Sequence, residues 1–150
     1  MKPPPKDKNA AGSVTGATGR AKLARAIMED AMSIREIAEQ LVAGCREGRE
    51  LANLEKLYAP DAVSVEGADM GNGREARGLE AIRAKHDWWE SEMEMLDSSI
   101  EGPMLHGEDR FAVVFNVKVR EKSSGKVTEM SEVGVYHVSD GRIVREEFFY

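Results

Sequence analysis

Three features of the chain predict an α+β domain. Apolar residues recur at helical spacing over residues 33–58 and again from Leu79. After Gly102-Pro103 the apolar period changes to two, and hairpin-type turns separate the alternating runs. The expected architecture is three N-terminal helices packed against a curved, mostly antiparallel sheet. At 150 residues the chain is long enough to bury one core without disulfides or a structural metal.

The first helix is placed by Ser33 and Glu36, whose spacing is that of a capping box: hydroxyl and carboxylate each satisfy an amide left unpaired at a helix start. Ile34, Ile37, Leu41, Val42 and Cys45 then form one apolar stripe, and Gly48 ends it. A second, short helix is expected from Glu50 to Tyr58, with Leu51, Leu54 and Leu57 facing the core. Pro60 stops it, because proline disfavours a helical conformation in the residue before it. Val63 and Val65 alternate with Ser64 and Glu66 as in a half-buried strand, residues 69–73 supply a turn, and Arg74 to Gly78 forms a short returning segment. The third helix starts near Leu79, with Leu79, Ile82, His86, Trp89, Met93 and Leu96 on one face and Trp88 and Met95 widening it.

Residues 97–105 are expected to form a strand, followed by one in which Phe111, Val113, Phe115, Val117 and Val119 share a face. Ser123-Ser124-Gly125 turns the chain into a strand over Val127 to Val138, and Ser139-Asp140-Gly141-Arg142 turns it again into Ile143 to Tyr150. Residues 1–19, with Pro3 to Pro5 and several Gly, Ser and Thr, carry too little apolar surface to offset the entropy of ordering. Residues 1–30 are therefore expected to be a flexible basic extension, partly helical from Lys22, ahead of a domain over 31–150.

The formal charge is −6, from 21 basic and 27 acidic side chains. It is +3 over residues 1–30 and −9 over the rest, a balance that attracts neither nucleic acid nor anionic lipid. No nucleic-acid or membrane partner is expected. Without a secretory apolar segment or a run of spanning length, a cytoplasmic location is expected. Cys45 is the only cysteine, which excludes an intrachain disulfide and a thiolate cluster. His86, His106 and His137 are scattered without metal-ligand spacing, so neither a metal nor a cofactor is expected.

Glu66 is the principal chemical candidate. A carboxylate at a strand end facing an apolar cleft has its charged form disfavoured, which moves its pKa towards the range useful to a general base. The alternative is a solvated acid, or one paired with Arg77 or Arg83. His86 titrates near neutrality when unperturbed, yet among Leu and Trp it reads equally as a core imidazole. Tyr58, Tyr136 and Tyr150 could each donate to a developing oxyanion. Tyr136 sits mid-strand on the face of Glu132, Gly134 and Val138, making Glu132 a second carboxylate candidate; both could instead face outward and pair with Lys118 or Arg145. Trp88, Trp89, Met93 and Tyr58 are candidates for an apolar ligand wall, against their reading as plain core.

Leu57-Tyr58-Ala59-Pro60-Asp61-Ala62, Val63-Ser64-Val65-Glu66, Arg77-Gly78-Leu79-Glu80-Ala81-Ile82-Arg83 and Asp140-Gly141-Arg142-Ile143-Val144 occur in an order that resembles the SnoaL-like and ketosteroid-isomerase-like branch of the nuclear transport factor 2 superfamily. The resemblance covers about residues 33–150. It implies a cone-shaped α+β domain whose curved sheet encloses a pocket, and a homodimer. It also implies that Glu66 falls at the position of the isomerase's strand-end acid, Val42 at that of its helix tyrosine, and Gly134 near that of its protonated aspartic acid. The function expected is an isomerase, cyclase or dehydratase acting by proton transfer on an apolar carbonyl compound; the alternative is a noncatalytic ligand-binding or dimerisation module.

Overall fold

The computed structural model describes residues 32–150, together with Gly19, Arg20 and Lys22. The chain divides into two units, residues 1–31 and 32–150, and the second holds all the strands and helices named below. The extension expected over residues 1–30 lies outside the described residues except for those three, which are helical and exposed.

Helix α1 spans Ile34–Arg46, and its capping box forms as the sequence indicates, with the Glu36 amide donating to Ser33 Oγ at 3.2 Å and the Ser33 amide to Glu36 Oε2 at 2.9 Å. Helix α2 (Glu50–Leu57) comes next, and the buried Asn53 amide ties it to α1 by donating to the Leu41 carbonyl at 3.3 Å. The chain enters strand β1 (Tyr58–Val65) directly at Tyr58, then β2 (Glu75–Arg77) and helix α3 (Leu79–Glu92). Strands β3 (Met93–His106), β4 (Arg110–Glu121), β5 (Val127–Ser139) and β6 (Arg142–Phe149) complete the domain.

The sheet has six strands in the order β2-β1-β6-β5-β4-β3. β1 and β6 run parallel, and the other neighbouring pairs are antiparallel. This topology corrects the expected curved cone. β2, only three residues long, pairs with β1 alone, and β3 pairs with β4 alone, so the sheet is open with two free edges. No described helix is long and apolar enough to cross a membrane.

The third helix also ends earlier than its apolar spacing predicts. Met93 and Leu96, read as helical, lie on β3, where Met93 pairs with Glu121 and Met95 with Val119. The Lys122 amide donates to the Glu92 carbonyl, so long-range pairing with β4 takes over from the helix at that point. Only Ile82 of α3 is fully buried, and Trp88 remains 46% exposed.

The helices cover the face that carries Phe111, Val113, Tyr136 and Ile143, and their own Ile37, Leu41, Val42, Leu54, Leu57 and Ile82 complete the core. Asp140 and Gly141 both take positive φ, 52° and 73°, giving the two-residue hairpin that their sequence signals. Beyond it the register slips: Val138 pairs with Ile143 but His137 with Arg145, leaving Val144 as an extra residue on β6. This bulge reverses the side-chain alternation, so Glu146 and Phe148 join Ile143 on the covered face.

Leu57 is fully buried where α2 meets β1. Leu57→Ala is expected to cost about 2–5 kcal/mol in urea unfolding; a loss below about 1 kcal/mol would place the packing centre elsewhere.

Candidate active site

Pairing across the covered face sets polar side chains in rows. Ser64 on β1 lies opposite Glu146 on β6, Glu146 opposite Tyr136 on β5, and Tyr136 opposite Phe111 on β4. One step along, Phe148 lies opposite Gly134 and Gly134 opposite Val113; one step further, Glu132 lies opposite Phe115. Glu66 comes immediately after β1, on the side of Ser64.

Lys85 joins these rows from α3. Its ammonium donates to Ser64 Oγ and, at 2.6 Å, to Glu66 Oε1, and it stands 4.9 Å from the centroid of the Phe148 ring. The Lys85 and Glu66 side chains are 26% and 24% exposed, so the pair is shielded while still reachable from solvent. The second Glu66 oxygen accepts from the Tyr150 hydroxyl at 3.2 Å. Arg77 and Arg83, the partners suggested for Glu66 by the sequence, pair instead with Glu75 and Glu55.

Glu146 is buried, at 2% exposure, and accepts from the Tyr58 hydroxyl at 2.5 Å through Oε2, while Oε1 has no partner. Burial first, and then the charge of Glu146, holds Tyr58 and Tyr136 well above the usual phenol pKa. Both phenols are therefore donors at neutral pH. Tyr136 stacks on Phe111 with centroids 4.8 Å apart and leans back over Gly134, where a Cβ would come within 2.9 Å of its ring. The absent side chain at Gly134 is what makes room for the phenol.

Glu132 is the most perturbed carboxyl. Burial raises its pKa to about 7, the charges of Glu66 and Glu146 add to the rise, and Lys85 opposes it. His86, beside Lys85 on α3, is lowered chiefly by burial; Glu146 opposes the shift and Lys85 adds to it, so the imidazole is neutral at pH 7. The Cys45 thiol is pushed up to about 12 by burial and by Glu50 and Glu146, which rules it out as a nucleophile.

Of the residues selected from sequence, Glu66, Glu132, Tyr136 and Tyr58 come together on the covered face, and His86 lies half-buried beside Lys85. Tyr58 serves as the buried donor to Glu146. Trp88 faces solvent, Trp89 is half-buried, and Met93 sits on the far edge strand, so the expected aromatic ligand wall is not assembled there. Sequence reasoning missed Lys85 and Glu146. Lys85 carried a usable signal, three residues after the core residue Ile82; the bulge at Val144 hid Glu146.

A cleft of ≈ 220 Å³ opens at the C-terminal ends of β1 and β6, lined by Val65, Glu66, Gly67, Arg74, Glu147, Phe148, Phe149 and Tyr150. A larger one, ≈ 360 Å³, lies over Ser99, Asn116, Lys118 and Ser131 on the outer face and contains none of the site's carboxyls. No group of His, Cys, Asp and Glu among the described residues could hold a metal.

The model of the SnoaL-like domain matches residues 32–150. A Mesorhizobium loti protein described as a SnoaL-like polyketide cyclase is 38% identical, with a TM-score of 0.73 over 79% of this chain and 100% of that one. A Burkholderia pseudomallei protein of the nuclear transport factor 2-like fold, of unknown function, is 20% identical (TM-score 0.62; 74% and 86% covered). A Catenulispora acidiphila protein with a ketosteroid-isomerase-like fold, bound to trimethylamine, is 16% identical (TM-score 0.61; 77% and 85% covered). No curated protein matches the chain. A cyclase-type fold thus carries the buried carboxylate of Glu146 and the partly buried one of Glu66 in an arrangement consistent with catalysis.

Because the Glu132 carboxyl rises from 4.5 to about 7, its stabilising share is complete below pH 4.5 and is lost as pH climbs through 7. Glu132→Gln is therefore expected to be neutral at pH 4 and to stabilise by about 1–2 kcal/mol at pH 8, after discounting for partial exposure. Urea melts at the two pH values check this; an equal effect at both would contradict the shift.

Proposed function

The chain belongs to the SnoaL-like family, and from that premise we propose that it is an enzyme of isomerase, cyclase or dehydratase type, moving protons on an apolar carbonyl compound. The observation that carries this reading is the pair of carboxyls in unlike settings. Glu66 is held by the Lys85 ammonium at the rim of a cleft, while Glu132 is raised to about 7. The likeness to the Mesorhizobium loti cyclase supports the reaction class.

In this mechanism Glu66 takes a proton from the carbon next to the carbonyl. The C–H electrons become a carbon–carbon double bond, and the carbonyl π electrons move onto oxygen. Glu132, half-protonated near neutrality, supplies a proton to that oxygen or to a leaving hydroxyl, and Glu66 returns its proton to carbon when the product is an isomer. Tyr136 is a protonated phenol on the same face as Glu132, and His86 stays neutral, adding no charge to the cation of Lys85.

Hydrogen–deuterium exchange at the α-carbons of 2-indanone, followed by NMR, tests the proposal without the natural substrate. The wild type is expected to accelerate exchange over buffer and Glu66→Gln to lose at least about 10²-fold of the acceleration. Unchanged exchange in that variant would remove Glu66 from the reaction. The rate should fall above about pH 7 as Glu132 loses its proton, and Glu132→Gln should lack that limb.

A second reading, self-association as a homodimer, is favoured by the outer face. There Met104 and Phe149 are 48% and 54% exposed beside the half-buried Ala112, Val114, Val133 and Val135. Sedimentation at micromolar concentration is expected to give a dimer that Phe149→Glu weakens; a wild-type monomer would exclude it.

A further inference from the structure

The two oxygens of Glu66 are not equivalent. Oε1 is tied to the Lys85 ammonium at 2.6 Å, while Oε2 has the longer 3.2 Å bond from the Tyr150 hydroxyl. A proton arriving from a substrate carbon therefore has Oε2 as its natural acceptor, and the group beside that oxygen is a phenol. Tyr150 also lines the cleft. Its place is set from two sides: the Ala68 amide donates to its oxygen at 3.4 Å, and its ring lies on Gly67, where a Cβ would come within 3.3 Å of the ring and 3.2 Å of the Phe148 carbonyl. Tyr150 directly follows Phe149, the last residue of β6, which pairs with Val133.

We propose that Tyr150 is a further catalytic residue, whose hydroxyl exchanges its bond to Glu66 Oε2 for one to the oxyanion of an enolising substrate. This role rests on the proton-transfer reading of Glu66. In the resting site the phenol donates to a charged carboxylate. When the substrate C–H bond breaks and its proton settles on Oε2, that carboxylate becomes neutral and a weaker acceptor. The negative charge has meanwhile moved to the substrate oxygen, bonded to the carbon next to the one that lost the proton. The Tyr150 hydroxyl follows the charge with no change in its own protonation. Base and oxyanion donor are thereby coupled, and the donor is strongest when the base has finished its work.

Two measurements test this. For 2-indanone exchange, Tyr150→Phe should lower kcat at least about 10-fold with little change in KM. Gly67→Ala, which displaces the ring without removing the hydroxyl, should cause a similar loss, and the double variant should lose no more than either alone. Independently of turnover, in the Glu66→Gln background, whose neutral amide mimics the protonated acid, the anion of 2-naphthol, a stable enolate-like oxyanion, should bind about 10-fold more tightly than when Tyr150→Phe is added. Equal affinity for that anion, or an unchanged kcat, would overturn the role of Tyr150. Absence of exchange by the wild type would instead overturn the proton-transfer reading, and the naphtholate affinities would still decide whether Tyr150 binds an oxyanion.

Discussion

The ammonium of Lys85 is the interaction on which the site depends. It reaches down from α3 to Ser64 and Glu66, over the Phe148 ring, onto a face that also carries Glu132 and Glu146. Several carboxylates so placed would repel one another and resist burial. With Lys85 present, Glu66 keeps a partner within hydrogen-bond distance while its charge still bears on Glu132. The result is one acid paired with a cation and a neighbour poised near neutrality, a division of labour set by environment.

The second structural condition is the bulge at Val144. Strict alternation from Ile143 would send Arg145 and Glu147 to the covered face and leave Glu146 and Phe148 outside. One extra residue on β6 reverses this, delivering Glu146 to Tyr58 and Phe148 to Lys85. Arg145 and Glu147 are left to pair with each other, at 2.9 Å. A backbone irregularity in one strand thus fixes the chemistry of the face.

Much of this was legible in the sequence where local rules govern. The capping box at Ser33 and Glu36, the Asp140-Gly141 hairpin and the alternation of β4 all form as their residues indicate. Glu66, placed with Ser64, and Glu132, placed with Tyr136, were each selectable as carboxyl candidates from strand alternation. What escaped depends on distant partners. Met93 and Leu96 continue the helical spacing of α3 but pair with β4, and nothing within residues 79–96 announces that competition. The expected curved cone failed for the same reason, because the course of a sheet and the place of its edges are decided by pairing across all its strands. Glu146 escaped because the bulge that turns it to the covered face has no spacing signature in the sequence.

The site is electrostatic at its root: Glu132 owes its proton affinity to burial beside Glu66, restrained by Lys85. Carbon-13 NMR titration of the Glu side-chain carboxyls tests this most directly. A Glu132 resonance titrating near pH 7, moving lower in Glu66→Gln and higher in Lys85→Met, is the expected result. A midpoint near 4.5 that neither substitution moves would contradict it.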